Sequence, residues 1–278
     1  PPLSNSDGVE LFIERGRAVD ASFSLMPEER PAVARIVERV DGLPLAIELA
    51  AARVGVMRPA RLLERLEDRF RLLSRHGSVH RHATLEATIA WAWDELDTHL
   101  QLGLAQLSVF AASFRLDAAE AVLDLGPGAP WAVDLVQGLR DRSLVRAIAT
   151  PSSEGASLRF AMLQSVRVFA ASRLDQSGAR EATEARLSDY YLRWGDTHQK
   201  LLDSPDRDRS QQAVSEERDN LVAVHAITLR HDVLDAARLV LLLDRGLHGR
   251  GQHALLRGLA AGTLDALQSA SSVPTPQE

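Results

Sequence analysis

The stretch Asp41-Gly42-Leu43-Pro44-Leu45-Ala46 ends one predicted helix and begins the next. Gly42 readily adopts the left-handed backbone conformation that closes a helix at its C-terminus. Pro44 disfavours helical torsions at Leu43, and its own fixed φ suits the first turn of a new helix. The sequence therefore predicts a rigid turn, which we call the elbow (residues 41–44). Taken alone, such a turn is either an ordinary helix connection or a place where the flat, donor-free Pro44 ring packs against an aromatic base.

Both sides of the elbow show helical periodicity. Apolar residues recur at spacings of three and four from Val33 to Val40, and Pro44 opens a segment that runs to Val54. Ser6 and Thr84 are candidate caps of further helices, because a hydroxyl oxygen can accept a hydrogen bond from the first free N–H groups. Together with a short helix over 59–68, these segments predict a helical domain over residues 1–96.

The pattern changes after residue 96. Helices over 97–110, 117–125 and 130–142 are followed by the apolar segments Leu144–Ile148 and Leu158–Phe160, with a polar loop at 150–157 between them. Three helices followed by a β-hairpin are typical of a winged helix, with this loop at the tip of the wing. We expect the domain to span residues 97–178 and to finish with a helix over 162–176, just before Gly178.

The remaining sequence is again helical. Helices over 182–202, 216–229 and 233–243, with a charged turn at 204–209, predict antiparallel pairs similar to tetratricopeptide repeats (TPR) over residues 179–268. The specific tetratricopeptide pattern is absent, so this prediction depends on helix pairing alone. Residues 269–278 contain two prolines and are expected to form a flexible tail. The predicted fold class is mainly α: a helical bundle, a winged helix with a small β-hairpin, and TPR-like helical repeats.

Composition limits the classes of function. The 278 residues carry a net charge of −6 with a pI of about 5.9, which disfavours a protein that coats nucleic acid or membranes. Cysteine is absent, which excludes disulfides and a thiol nucleophile, and the sequence predicts neither a signal peptide nor a membrane span. We therefore expect a cytoplasmic location. Because the sequence opens with Pro1-Pro2 instead of Met, we expect a fragment of a longer protein.

The sequence contains no evident catalytic constellation. A phosphate-binding loop needs Gly-Lys followed by Ser or Thr, and the single lysine, Lys200, has no such neighbours. The chain is therefore not expected to be an enzyme by itself. His76, His80 and His82 are close enough in sequence to bind a metal, but no acidic residue or thiol lies among them, which favours a polar connector. No catalytic or metal-binding residue is assigned.

Several blocks of sequence, taken in order, resemble one family. They are Leu11–Arg15, Asp41–Arg53 (DGLPLAIELAAAR), Leu63–Leu73, Thr84–Asp94 (TLEATIAWAWD), Leu107–Ala111 (LSVFA) and Asp219–Leu221 (DNL). The ordered set is similar to the bacterial NB-ARC proteins of the STAND class of signal-transduction ATPases, which include transcriptional regulators. The match covers most of residues 6–230. The family places its P-loop, Walker B strand and sensor arginine before the Gly-Leu-Pro block, so the chain resembles the part after the nucleotide-binding core.

The resemblance implies functional positions. In such proteins the proline of the Gly-Leu-Pro block contacts adenine, which places Pro44 on the adenine side and gives Gly42 the role of shaping the turn. Eukaryotic members carry a Met-His-Asp motif whose histidine touches the terminal phosphate of ADP. Here the matching positions are Met162, Leu163 and Gln164. Leucine cannot donate a hydrogen bond, so the contact is lost or has moved to a neighbouring residue: Gln164, Ser165 or Arg167.

The resemblance also implies cofactors and partners. The full-length protein would bind ATP or ADP with Mg, whereas this fragment would hold no nucleotide tightly. The expected partners are the N-terminal P-loop domain of the same protein, further copies of the protein on activation, and an unidentified ligand or protein on the helical repeats. In this interpretation the chain is the regulatory, nucleotide-state-sensing and oligomerisation part of an ATPase switch.

Two other functions stay open. Winged helices often bind DNA through their third helix, but residues 97–178 carry seven arginines against eight acidic residues, a charge of −1. The candidate recognition helix, residues 131–142, is also apolar over much of its surface, so we expect no DNA contact by this fragment. The remaining possibility is a helical-repeat scaffold that binds a protein through residues 180–268 and has no connection with nucleotides.

Overall fold

The computed structural model describes residues 5–74, 81–152, 155–248 and 251–271. These residues are mainly helical, with one small antiparallel hairpin, which confirms the predicted fold class at this level. None of the helices in these ranges combines the length and the apolar content needed to cross a membrane. The elements in order are α1 (Asn5–Val19), a 3-10 turn (Pro27–Glu29), α2 (Arg30–Arg39), α3 (Pro44–Ala51), α4 (Pro59–Ser74), α5 (Arg81–Asp94), α6 (Thr98–Leu107), α7 (Leu116–Val122), α8 (Ala132–Asp141), β1 (Arg146–Ser152), β2 (Gly155–Ala161), α9 (Gln164–Ser177), α10 (Arg180–Leu201), α11 (Arg207–Glu216), α12 (Arg218–Thr228), α13 (Val233–Gly246) and α14 (His253–Ser271).

The chain divides into two compact units that alternate along the sequence. The first unit comprises Pro1–Ala105, Leu125–Ala147 and Met162–Arg173, and the second comprises Gln106–Asp124, Ile148–Ala161 and Leu174–Glu278. The predicted domain boundaries after residues 96, 178 and 268 stay predictions. The first two lie in connections between helices, whereas residue 268 lies within α14.

The main core of the first unit is formed by helices α1 to α5. Apolar residues at helical spacing point into it, and Phe12, Ile36 and Ile47 have no exposed surface. α1 packs closely because it presents glycine at its contact with α2, where a Cβ on Gly8 would lie 2.4 Å from Val37 Cγ1. The helical bundle predicted around the elbow is therefore held together by interdigitating apolar side chains.

Two of the predicted helix caps are wrong. α1 already includes Asn5 and α5 begins at Arg81, so Ser6 and Thr84 lie inside their helices. The Thr84 hydroxyl instead donates a 2.8 Å hydrogen bond to Asp41 Oδ2 in the elbow. A hydroxyl near a helix start is a weak guide to the first helical residue, because it can equally bond to a neighbouring segment.

The predicted β-hairpin is confirmed, with longer strands than expected. Most of the polar segment expected as a loop, 150–157, belongs to β1 and β2, and residues 153–154 lie outside the described residues. Backbone pairing in a hairpin does not need apolar side chains, which is why the apolar pattern underestimated the strands. Phe114 extends the pairing through an antiparallel bridge, in which its N–H and C=O both bond to Phe160 at 2.8 Å.

Helices α10 to α14 complete the second unit. α13 is central among them and contacts α10, α11, α12 and α14. The charged turn predicted at 204–209 is wrong in its second half, because α11 begins at Arg207. α11 was not predicted, because only Ser210 and Val214 of this helix are buried and its sequence has little apolar periodicity. α14 continues to Ser271, so the tail expected from residue 269 begins in a helix, and residues 272–278 lie outside the described residues.

Aromatic side chains contribute to both units. Trp91 in the first unit and Phe110 in the second are buried, and Tyr191 on α10 has no exposed surface. Trp93 is partly exposed and meets Phe169 edge-on, with the ring centroids 5.8 Å apart. These aromatic rings therefore stabilise the packing of their units.

Gly246 on α13 is expected to tolerate no side chain. An added Cβ would lie 2.4 Å from Val214 Cγ1 on α11, which forces the two helices apart. We expect Gly246→Ala to lower the free energy of unfolding by about 1–3 kcal/mol, as overpacking does. The matched control is Gly258→Ala on α14, where no heavy atom lies within 4 Å of the added Cβ. Urea unfolding of both variants tests the prediction, and equal stability of the two would contradict it.

Candidate functional site

The elbow has the geometry that the sequence predicts. Asp41 and Gly42 have positive φ angles of 53° and 61°, and the Gly42 N–H donates to the Val37 carbonyl at 2.9 Å. Leu43 is extended, with φ −73° and ψ 117°, and Pro44 is the first residue of α3. The turn is thus closed by its own backbone hydrogen bond and by the fixed φ of proline, so its local conformation is well determined.

The Pro44 ring lies at the edge of the packed core. Gly42 is buried, whereas Pro44 is partly exposed. The hydrogen bond from Thr84 to the Asp41 carboxylate ties the elbow to α5. A partly exposed pyrrolidine ring has no N–H donor, so it offers an apolar surface that suits packing against a planar ring. Pro44 can therefore offer a ligand an apolar contact, and it requires no polar partner on the ligand.

Arg53 ends the block that resembles NB-ARC proteins and is buried. Its Nη2 donates to the Ala92 carbonyl at 3.0 Å, and its guanidinium lies 5.4 Å from the ring centroid of Trp91. Burial lowers the pKa of Arg53 from its ordinary value. These contacts join the segment after α3 to α5, so Arg53 supports the helices that carry the elbow and is not presented to solvent.

Leu163 and Gln164 lie at the start of α9, on a different element from the elbow but in the same unit. Leu163 precedes the helix and is partly exposed, and its carbonyl accepts the Arg167 N–H at 2.9 Å. Gln164 is the first helical residue and is exposed, and its Oε1 accepts a 2.8 Å hydrogen bond from Arg167 Nη2. Gln164 is therefore already engaged by a cation, and the sensor role of both positions stays a prediction.

A buried polar network in the second unit was not predicted. The carboxylate of Glu217, between α11 and α12, accepts hydrogen bonds from Arg159 Nη1 on β2, from Tyr191 Oη on α10 at 2.7 Å and from Asn220 Nδ2 on α12 at 2.9 Å. The side chains of Arg159 and Glu217 are only 2% and 4% exposed. One carboxylate therefore connects three elements of the unit.

The same network holds the segment that precedes α7. Arg159 donates from Nε to Ser113 Oγ at 2.9 Å and from Nη2 to the Ser113 carbonyl at 2.7 Å. The Asn220 amide donates to the same carbonyl at 2.8 Å and accepts from the Ala112 N–H at 3.1 Å. Side chains of the network thus replace regular backbone partners for this irregular segment.

Burial and charge act in opposite directions on Arg159. Burial lowers the pKa of its guanidinium, but the hydrogen bond and the negative charge of Glu217 outweigh burial and raise that pKa above its ordinary value. Burial, together with the Glu217 carboxylate, also raises the pKa of Tyr191, so its phenol stays protonated and donates. The network is an ion pair completed by neutral donors, which satisfies a carboxylate removed from water.

A cavity of about 420 Å³ lies beside this network, and its buried lining residues are Arg159, Ser210 and Glu217. Another wall is formed by Trp194 and His198, whose rings stack with centroids 3.6 Å apart. His198 Nδ1 donates to the Trp194 carbonyl at 2.9 Å, because a carbonyl oxygen can only accept, and burial lowers the pKa of this imidazole. The cavity has a volume typical of small-molecule pockets, and polar groups of both charges line it.

Arg159 and Glu217 are residues of this site that were not predicted from the sequence. Arg159 is a charged residue between the apolar Leu158 and Phe160 of a predicted strand, and this pattern was the available sign of a buried partner. The partner itself lies 58 residues away in a strongly charged segment that resembles a solvated helix face. Asn220 lies in the block 219–221 that resembles NB-ARC proteins, but the sequence does not indicate its part in the network.

No family model matches the chain. It is 36% identical over 230 residues to a protein named "Putative HTH-type transcriptional regulator", found in Mycobacterium bovis and in Mycobacterium tuberculosis, with 81% of this chain and 25% of the relative covered. It is also 38% identical over 191 residues to an uncharacterized protein of Mycobacterium tuberculosis, with 67% of this chain and 48% of the relative covered. The chain therefore spans a quarter to about half of the length of these curated relatives.

Removing one partner of the buried ion pair should strongly destabilise the protein. We expect Arg159→Ala to lower the free energy of unfolding by about 3–5 kcal/mol, because Glu217 keeps a buried charge without its cation. The matched control is Arg238→Ala, which removes an ion pair with Asp196 whose two side chains are 48% and 54% exposed. That change should cost no more than about 1 kcal/mol. Urea unfolding compares the two, and similar losses would show that the buried network is not a stabilising centre.

Proposed function

We propose that this chain is the regulatory part of a nucleotide-dependent bacterial transcription regulator of the STAND type, located after the nucleotide-binding core. The observation that carries the proposal is the elbow, where a left-handed Gly42 and an N-terminal Pro44 present an apolar ring at the start of α3. Similarity to proteins named as HTH-type transcriptional regulators supports the regulatory role. The order of sequence blocks that resemble NB-ARC proteins supports the assignment to this class.

In this proposal the elbow contributes to the adenine side of a nucleotide site. The partly exposed Pro44 ring fits a contact with a base, because it is apolar and has no donor that would require a polar partner. Gly42 holds the turn with its positive φ, and Arg53 and Thr84 bond the flanking segments to the rest of the unit. The phosphates and Mg would be held by the P-loop domain of the same protein, so this chain alone would neither hold nucleotide tightly nor hydrolyse it.

The start of α9 would report on the nucleotide state. Leu163 is partly exposed and Gln164 is exposed, which is compatible with their facing another domain. Leu163 has no polar side-chain atom, so a closed state would depend on apolar packing here, while Gln164 and Arg167 would supply any polar contact. Self-association on activation and a ligand on the helical repeats complete the proposed switch.

Direct DNA binding by this chain is the less favoured function. α8 corresponds to the candidate recognition helix, and Leu135, Val136 and Leu139 on it are buried. Its exposed N-terminal side presents Trp131, 79% exposed, and Val133, which are apolar and carry no charge for phosphates. A salt-dependent shift of labelled duplex DNA by the chain would favour this alternative, as would its loss on substitution of Arg140 or Arg142.

The adenine contact predicts a specific effect of the elbow proline. In the complete protein that contains this chain, Pro44→Ala should weaken ADP binding about tenfold, which corresponds to about 1.4 kcal/mol. The matched control is Pro59→Ala, which removes the proline at the start of α4 outside the elbow and should leave the affinity unchanged. Calorimetric titration with ADP measures both variants. Unaltered ADP affinity of the Pro44 variant would contradict the adenine contact and would show that the elbow is an ordinary helix connection.

The position of Leu163 predicts a gain of function. In the complete protein, Leu163→His should slow ADP release about tenfold or more, because a charge-assisted hydrogen bond contributes about 1.5–3 kcal/mol. Val168→His on the exposed side of α9 is the control and should have no effect. Release of a fluorescent ADP analogue is followed by stopped flow. Equal rates in wild type and both variants would exclude a phosphate contact at position 163.

A further inference from the structure

Arginine side chains from three elements of the first unit lie near one another. Arg15 on α1 donates from Nε to Ser143 Oγ at 2.9 Å. The neighbouring Arg142, which follows α8, donates from Nη1 to the Gly138 carbonyl at 3.0 Å. Arg53, which follows α3, lies close enough to Arg142 for their positive charges to interact. We call Arg15, Arg53 and Arg142 the arginine cluster.

The arginine cluster is short of negative charge. Across the described part of the chain none of its three members forms an ion pair, and their hydrogen bonds go to carbonyl oxygens and one hydroxyl. Glu95 acts on Arg53 through its charge, but its Oε1 already accepts from Arg65 Nη1 at 2.9 Å. Asp141, beside Arg142, accepts from Gln137 Nε2 at 2.6 Å. The carbonyls at the end of α8 add only about half of a negative charge.

Two donors of the arginine cluster have no acceptor. The Nε atoms of Arg53 and Arg142 are buried, and neither bonds to any group of the described residues. Arg53 as a whole is only 7% exposed. Buried donors are nearly always hydrogen-bonded in native proteins, and an unpaired one indicates a group that another molecule or an ion satisfies. The two Nε atoms therefore mark positions for acceptor atoms.

Burial and like charge both act on Arg53. Burial lowers the pKa of Arg53, the negative charge of Glu95 opposes this shift, and the positive charge of Arg142 lowers the pKa further. An arginine nevertheless stays charged at neutral pH. The fold therefore keeps a buried cation beside a second cation, an arrangement that an anion between them would stabilise.

We propose that the arginine cluster binds a phosphate group, either as free phosphate or as part of a nucleotide. A phosphate group carries up to two negative charges and at least three acceptor oxygens, so it can accept from both free Nε donors and offset more than one guanidinium. A carboxylate has one charge and fewer acceptors. Arg15 and Arg142 are partly exposed, so the ligand would enter from their side and meet Arg53 at the inner end. This site goes beyond the proposed function, which assigns no phosphate contact to these residues.

The test is calorimetric titration of the chain of 278 residues at constant ionic strength in a chloride buffer. The probes are inorganic phosphate, ADP and acetate, which stands for a carboxylate. We expect a phosphate-bearing probe to bind and acetate to give no heat of binding. Binding of inorganic phosphate identifies a site for the free ion, whereas binding of ADP alone identifies a nucleotide as the source. Direct titration is needed because phosphate at high concentration stabilises folded proteins without binding to a site.

Variants of the arginine cluster have a close control. Arg142→Gln removes one charge and one free Nε, and it should weaken binding of the active probe about tenfold or more. Arg140→Gln removes an exposed charge from the last turn of α8 and should bind like wild type. Arg53→Lys keeps the positive charge but removes the free Nε, so it should also weaken binding about tenfold. Unfolding midpoints without ligand report whether each variant is folded.

Three results would overturn the inference: neither inorganic phosphate nor ADP binds, acetate binds as well as the phosphate probes, or Arg142→Gln binds like Arg140→Gln. If Arg53→Lys does not fold, the comparison of the variants at 142 and 140 decides alone. ADP binding that is independent of Arg142 would also contradict the site. Inorganic phosphate has no base, so its failure to bind leaves the proposed adenine contact of Pro44 unaffected.

Discussion

The carboxylate of Glu217 is the constraint on which the second unit depends. A carboxylate removed from water must be fully hydrogen-bonded and paired with a cation, or it becomes protonated or unfolds its surroundings. Arg159, Tyr191 and Asn220 meet this requirement from β2, α10 and α12. Because each donor has a fixed reach and direction, the requirement sets the distances among those elements as well as their contacts. Replacement by an apolar cluster would preserve packing but not this geometry.

The cavity follows from the same constraint. Arg159 and Glu217 satisfy each other, so the most buried lining of the cavity is polar but electrically balanced. The outer residues of the cavity belong to α10, to the connection after it and to α11, which are more exposed and carry charges of both signs.

The elbow is rigid for a different reason. Its conformation comes from the torsional preferences of Gly42 and Pro44 and from one short-range backbone bond to Val37, so it needs little help from distant residues. A regulatory protein uses such a part well, because a contact that distinguishes two states must keep its shape in both of them. The elbow and the Glu217 network therefore depend on separate structural principles, in separate units.

The sequence alone predicted the elbow, most helices and the existence of the hairpin, because glycine, proline and apolar periodicity act over a few residues. It missed α11, whose charged sequence buries only Ser210 and Val214, and it shortened the strands, whose pairing does not depend on apolar side chains. Three features are visible only in the folded chain: Arg159 meets Glu217, Thr84 bonds to Asp41 instead of capping a helix, and Asp206 lines a cavity. Polar side chains bond to whichever groups lie near them in space, and residues distant in sequence come together only when the chain folds.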